Sequence, residues 1–228
     1  DHVSGSLLLL YEDGEDIVFD EAFITLSGGE NLPIYLKVGE LYVPFGFFES
    51  NMISDPLTLE IGETRETALE VGYEMAGFYC AGYLFNGDVD EAGEDSYIDN
   101  FGANAGYVME IDNFNFDVGC GYINNILDSD SLGDFVEETD GDLDKYVDGF
   151  AVHAIFSTGP VMLIGEYVTA LDEAKFVSDT GVDEAEEFAA WNAEVGFTFD
   201  LASKEATAAI GYQGSDKADN LLPETRIL

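Results

Sequence analysis

The chain has almost no positive charge: 7 lysines and arginines stand against 48 aspartates and glutamates in 228 residues, a formal net charge of −41. Phosphate neutralisation needs clustered Lys and Arg, so a nucleic-acid-binding surface is excluded. Only 2 histidines are present, His2 and His153, so no histidine-based metal site can be assembled. The 2 cysteines, Cys80 and Cys120, fall on candidate strands separated by a third. Two strand spacings are about 9.5 Å, beyond disulfide reach, which leaves isolated thiols as the expected state. No apolar run is long enough for a transmembrane helix, the longest aliphatic stretch being Leu7 to Leu10. A basic segment followed by an apolar one, the mark of a secretory signal, is also missing from this chain. There is no Ser-His-Asp arrangement, glycine-rich phosphate loop or nucleophile elbow. The expectation is a protein that is not an enzyme and carries no cofactor and no resident metal.

What is present is apolar and aromatic. A hydrophobic content of 46%, with 17 Phe and 12 Tyr, argues against disorder despite the charge. Polar and apolar residues alternate with period two, which places them on opposite faces of strands. Over 101–112, Phe101, Ala103, Ala105, Tyr107, Met109 and Ile111 oppose Gly102, Asn104, Gly106, Val108, Glu110 and Asp112. Over 113–123, Phe114, Phe116, Val118, Cys120 and Tyr122 oppose Asn113, Asn115, Asp117, Gly119 and Gly121. The same pattern runs through 66–75, 188–199 and 204–214. Eleven candidate strands follow: 3–12, 17–27, 33–43, 66–75, 77–86, 101–112, 113–123, 148–157, 160–170, 188–199 and 204–214. Most are near ten residues, the length at which a tilted strand crosses a bilayer (about 9–11).

The connections alternate as well. Tight turns fall at Met75-Ala76, Asp112-Asn113, Ser157 to Pro160 and Leu201 to Ser203, while 44–65, 87–100, 124–147 and 171–187 are long. Short on one rim and long on the other is the pattern of outer-membrane barrels, and Greek-key sandwiches have no reason to keep it. The predicted fold is all-β, a transmembrane antiparallel up-and-down β-barrel forming a single domain over 1–228. By strand parity eleven strands cannot close, so the chain is expected to be a fragment incomplete at both ends. Cys120 then faces lipid, and the strand-end aromatics form interface girdles.

The inward polar set should be Glu70, Glu74, Asn104, Glu110, Asp112, Asn115, Asp117, Glu166, Asn192 and Glu194. In a wide barrel such residues wet an aqueous lumen, and an acidic lining favours cations. The long connections concentrate acid: Asp88, Asp90, Glu91, Glu94, Asp95 and Asp99 in 87–100, then Asp128, Asp130, Asp134, Glu137, Glu138, Asp140, Asp142 and Asp144 in 124–147. These blocks are expected to be solvated. Three Asp-x-Asp runs in them miss EF-hand positions, so divalent cations are expected to bind the loops loosely rather than in a built site.

The segment Gly39-Glu40-Leu41-Tyr42-Val43-Pro44-Phe45-Gly46 through Ser54-Asp55-Pro56-Leu57-Thr58-Leu59-Glu60 to Gly62-Glu63-Thr64-Arg65-Glu66 resembles the signature of the LbtU-type siderophore porin family, legiobactin-receptor-like outer-membrane barrels. Asp20 to Leu26 and Leu222 to Arg226 are similar to further segments of that family. The resemblance implies an outer-membrane barrel of a Gram-negative bacterium, in contact with lipid and lipopolysaccharide, that takes up ferric siderophores or another small solute. Read physically, Pro44 and Gly46 end a strand, and 44–65 is too apolar for a free loop. It is expected either to fold into the barrel as a constriction or to cover the rim. Asn51, Ser54, Asp55, Glu63, Arg65 and Glu66 are its candidate polar residues, with Arg65, flanked in sequence by Glu63 and Glu66, expected either to anchor the loop as a structural ion pair or to help line a constriction. Two alternatives stay open: a plugged or partner-filled structural barrel, and a soluble acidic β-sandwich. No oligomeric state follows from the sequence.

Overall fold

A computed structural model describes residues 2–11, 17–29, 32–93, 97–138, 142–178, 181–218 and 221–228. The loop residues Glu94, Asp95 and Asp140 lie outside them. In chain order the strands are β1 (Val3–Leu10), β2 (Val18–Ser27), β3 (Ile34–Tyr42), β4 (Arg65–Met75), β5 (Phe78–Phe85), β6 (Asn100–Ile111), β7 (Phe114–Ile123), β8 (Asp142–Leu143), β9 (Gly149–Thr158), β10 (Val161–Ala170), β11 (Ala174–Ser178), β12 (Gly181–Ala185), β13 (Ala189–Leu201), β14 (Lys204–Asp216) and β15 (Thr225–Ile227). All but β8, β11 and β12 form one twelve-stranded sheet in which each strand pairs antiparallel with the next. This is the wall of a transmembrane up-and-down barrel. Among the described residues its edge strands β1 and β15 are not paired with each other.

Two features differ from the sequence expectation. A twelfth strand, β15, pairs with β14 through Tyr212–Ile227 and Gln213–Arg226; three residues are too few to show alternation. The long acidic connections also carry structure of their own. A 3₁₀ turn (Ile126–Asp128) and the helix α2 (Asp130–Glu138) follow β7, and β12, β11 and β8 make a separate three-stranded sheet. That sheet stitches the β7–β9 connection to the β10–β13 connection through Phe176–Leu143. A four-residue helix, α1 (Leu57–Glu60), lies in the β3–β4 connection.

The tight turns set the register. Ala76 (φ 55°) and Gly77 (φ 87°) are both left-handed, as are Ala202 (53°) and Ser203 (63°). Two consecutive positive φ values define the type I′ hairpin turn, whose twist matches that of the strands. At Gly77 an added methyl would also overlap the Val108 carbonyl, so glycine is required there twice over.

Alternation along each strand then separates the faces. Leu69, Val71, Leu84, Phe101, Val152, Leu163, Val195, Phe197, Ile210 and Tyr212 are all exposed on the outer face. So much contiguous exposed apolar surface is rare on soluble proteins and is the lipid-facing band of a membrane barrel. Cys80 and Cys120 are free thiols on this face, both in register with Ala105 of the intervening β6. Val195 lies mid-strand and is 52% exposed. Val195→Arg is therefore expected to destabilise the inserted barrel by about 2–4 kcal/mol, read from denaturant titration in lipid vesicles. On a soluble sandwich the same exposed change would cost almost nothing.

The buried core lies on the inner face, at the rim with the long connections. Ala68, Phe85, Ile123, Ala151, Val168 and Ala190 of the wall pack with Leu57 and Ile61 of the β3–β4 connection and with Ile126, Leu132, Leu143, Val147 and Phe176 of the other long connections. Towards the tight-turn rim the inner face is polar and open.

Candidate functional site

Residues 44–65 fold back onto the inner face. Pro44 and Gly46 end the ladder, and Phe48 turns the chain with a left-handed φ of 57°, its ring seated where a side chain at Gly46 or Gly62 would lie. The turn leaves a run of backbone N–H groups pointing at the wall, and buried wall carboxylates accept them. Glu166 on β10, 6% exposed, takes the Phe47 amide (2.8 Å), the Phe48 amide (3.2 Å) and the Thr58 hydroxyl (2.7 Å). Glu194 on β13, 3% exposed, takes the Ser50 hydroxyl (2.6 Å), the Asn51 amide (2.8 Å) and the Asn192 side chain (3.1 Å). Neither carboxylate has a basic partner among the described residues; peptide and hydroxyl dipoles compensate both charges.

The far end of the segment is clamped from β14 and β15. Gln213 Oε1 accepts from the Leu57 amide (3.3 Å) and from Arg226 Nε (3.0 Å), while Arg226 also donates to the Asp55 carbonyl. Near its start, Gly121 on β7 lets the Phe45 carbonyl approach so closely that a methyl group would overlap it. Gly121→Ala is therefore expected to cost about 1–3 kcal/mol and to lift the start of the segment. Increased protease cleavage within 44–65 would report it, and an unchanged digest would contradict this packing.

Two more polar groups line the inner face. Glu70 on β4 is 1% exposed and accepts from Tyr35 (2.6 Å) and Lys37 (3.3 Å), the lysine lying 5.1 Å from the Tyr35 ring centroid. Asp117 on β7 accepts from Tyr79 (3.1 Å) and contacts His153 Nε2 (3.4 Å), and the His153 ring stacks on Phe47 at 4.4 Å. Phe47 thus joins the folded-in segment to β9, the neighbour of β10 on its other side from β13.

Of the expected inward residues, the structure buries Glu166, Asn192 and Glu194 beneath 44–65 instead of leaving them open to water, and Glu70 beneath its own partners. Asn104 uses its carbonyl on the Ala81 amide (2.9 Å). Glu74 and Asn115 are exposed on the inner face, as is Glu110. Asp112 occupies the β6–β7 turn with φ 47°, not a strand face. Within the segment, Asn51 reaches Glu194, whereas Ser54 and Asp55 are exposed beside the fully exposed Ile53. Arg65 does not pair with Glu63 or Glu66; it contacts Asp20 (3.5 Å) and Glu40 (4.0 Å) across β2 and β3. Those two acids sit on neighbouring strands, which a scan along the chain does not bring together. Sequence reasoning also missed Gln213 and Arg226, although Arg226 is one of few cations in the chain and so stood out.

Glu66 belongs to an acidic cluster at the long-connection rim, with Asp88, Asp128, Asp130 and Asp134 around a cavity of about 260 Å³ that Arg65 also borders, and Glu63 feels the charge of Asp130 from beside it. Asp128, only 5% exposed, accepts the Asp88 (2.8 Å) and Val89 (2.9 Å) amides, yet burial pushes its carboxyl up to about 6. Burial, reinforced by Asp130 and Asp55, pushes Glu63 up to about 7. Asp130, which accepts the Arg65 amide at 2.9 Å, is raised for the same first reason.

A wall of antiparallel strands with an apolar outer belt and a segment folded onto its inner face defines a transmembrane β-barrel class of fold. The architecture is similar to the crystal structure of the outer membrane channel DcaP of Acinetobacter baumannii, with a TM-score of 0.60 and 15% identity, covering 94% of this chain and 62% of that one. In sequence the chain is 28% identical over 234 residues to a UPF0422 protein of Coxiella burnetii, covering 98% of this chain and 50% of that protein. It is 27% identical over 227 residues to a UPF0422 protein of Legionella pneumophila strain Paris, covering 90% and 41%. The chain therefore spans about half the length of the curated relatives it matches. No family model matches it.

Proposed function

We propose that the chain forms part of an outer-membrane porin of a Gram-negative bacterium, a passive channel whose hydrated lumen favours cations and is narrowed by residues 44–65. The observation that carries this reading is the fixing of 44–65 to the inner face by Glu166, Glu194 and Gln213. A segment tied across a barrel at mid-height leaves a smaller aperture whose lining decides which solutes pass. The open part of the inner face carries Glu74, Glu110 and Asp117, while the inner-face Lys37 is already paired with Glu70. Such a lining repels anions.

The resemblance of 39–66 to the siderophore porins extends this to ferric-siderophore uptake, which in an acidic lumen suits a neutral or cationic chelate. Planar-bilayer recording of the full-length protein under a salt gradient tests both levels. Cation-selective steps are expected, and dose-dependent block by a ferric siderophore would support that substrate. Anion-selective steps would overturn the proposed lining. A second reading, a plugged structural barrel, is favoured by the apolar core on the inner face at the long-connection rim. A protein that inserts but stays electrically silent would establish it instead.

A further inference from the structure

Below the folded-in segment, towards the tight-turn rim, the inner face opens into a cavity of about 530 Å³ bordered by Phe47, Glu74, Tyr79, Val108, Asp117 and the β4–β5 turn. We infer that this cavity is a binding subsite for organic cations, ammonium or guanidinium groups carried on a short apolar chain. The inference rests on the channel reading for its biological role, but not for binding.

Three observations support it. First, Phe47 stacks on His153 yet is still 41% exposed towards a polar interior, where open ring surface is costly unless something covers it. Second, two carboxylates face the same space with acceptor capacity to spare. Asp117 uses only Oδ1, on Tyr79 and His153, and Glu74 makes no side-chain hydrogen bond or ion pair among the described residues. Third, no lysine or arginine borders the cavity, so the Tyr79 hydroxyl and His153 that reach Asp117 are not joined by a permanent positive charge.

Aromatic faces attract cations through the ring quadrupole, and carboxylates supply directional acceptors for N–H donors. Val108 gives the apolar stem a surface. A bare metal ion would find too few converging ligands, because among the described residues no group of three acids, histidines or cysteines is placed to hold one. An anion would meet two negative charges.

The test is equilibrium binding of 1,5-diaminopentane to the full-length protein in detergent, by calorimetry, with 1,5-pentanediol as the uncharged control. The diamine is expected to bind and the diol not to. Glu74→Gln combined with Asp117→Asn should weaken binding by about tenfold or more. Phe47→Leu should weaken it about threefold and Phe47→Tyr should restore it, since the ring face is what is needed. Protection of the Asn51 amide, followed in each variant, shows whether the segment has stayed in place. Absence of binding, or binding indifferent to the carboxylate pair, overturns the subsite. Channel recording with the diamine then separates the two levels. Block that weakens in the same variants supports both, whereas binding by a silent barrel keeps the subsite and removes the channel.

Discussion

Replacing Glu166 and Glu194 together by alanine is expected to free residues 44–65 from the wall and to raise the single-channel conductance. The two carboxylates accept the Phe47, Phe48 and Asn51 amides and the Ser50 and Thr58 hydroxyls, at 2.6 to 3.2 Å. A hydrogen bond to a charged acceptor contributes about 1.5–3 kcal/mol, and a donor left buried without one costs a similar amount. Even after relaxation the double variant should lower the opening free energy of the segment by at least about 3 kcal/mol, or roughly 100-fold in amide protection. The glutamine pair should fall between, because an amide keeps one acceptor oxygen but sets an N–H₂ group against backbone donors. Hydrogen exchange at Phe47, Phe48 and Asn51 measures the release, and bilayer recording measures its consequence. Unchanged protection in the alanine pair would mean that the apolar contacts of Leu57 and Ile61, the Gln213–Arg226 clamp and the Phe47–His153 stack hold the segment without the carboxylates.

The second large effect is a dependence on pH at the long-connection rim. Asp128 titrates near 6 in the folded protein, well above an ordinary aspartate, because it is buried. A carboxyl whose folded value is raised binds more protons folded than unfolded in the interval between the two values. Stability is therefore greatest below about 4 and falls as pH rises towards about 6, after which it levels off. Glu63, raised to about 7, extends the decline in the same direction. A shift of this size in a buried group corresponds to about 2–3 kcal/mol. The Val89 amide, which donates to Asp128, should exchange more slowly at pH 5 than at pH 8 once intrinsic rates are removed. Asp128→Asn keeps an acceptor for Asp88 and Val89 but carries no charge. It is expected to flatten the part of the profile between about 4 and 6, leaving the decline that Glu63 and Glu66 carry above it, and to stabilise the rim at pH 8 by about 1–3 kcal/mol. A variant as pH-dependent as the parent would place the titration elsewhere in the acidic cluster.

Where one face meets lipid and the other meets water or backbone, the sequence carries the fold openly. The β6–β7 hairpin and the β13–β14 hairpin each alternate without interruption, so their register follows from the turn and the pattern. The alternation blurs in β1 to β3, where Leu7 to Leu10 place leucine on both faces and both remain exposed. Segment 44–65 stood out by being too apolar for water, and Glu166 and Glu194 stood out as acids at inward positions. Their meeting did not, since it spans more than a hundred residues and depends on backbone amides that every residue has. The acidic connections misled for a related reason. Their charge suggested solvation, but the sparse apolar residues among them, Ile126, Leu132, Leu143 and Phe176, were enough to build a core and a small sheet.

A thin barrel wall is a hoop, and a hoop resists stretching far better than it resists being squashed into an oval. Residues 44–65 leave the wall at the end of β3, touch β10 through Glu166, β13 through Glu194 and β14 through Gln213, and rejoin it at β4. They act as a strut across the hoop. Lateral pressure from the bilayer that would flatten the wall must first break charge-assisted hydrogen bonds at several points, so the segment proposed to narrow the aperture also stiffens the wall against flattening.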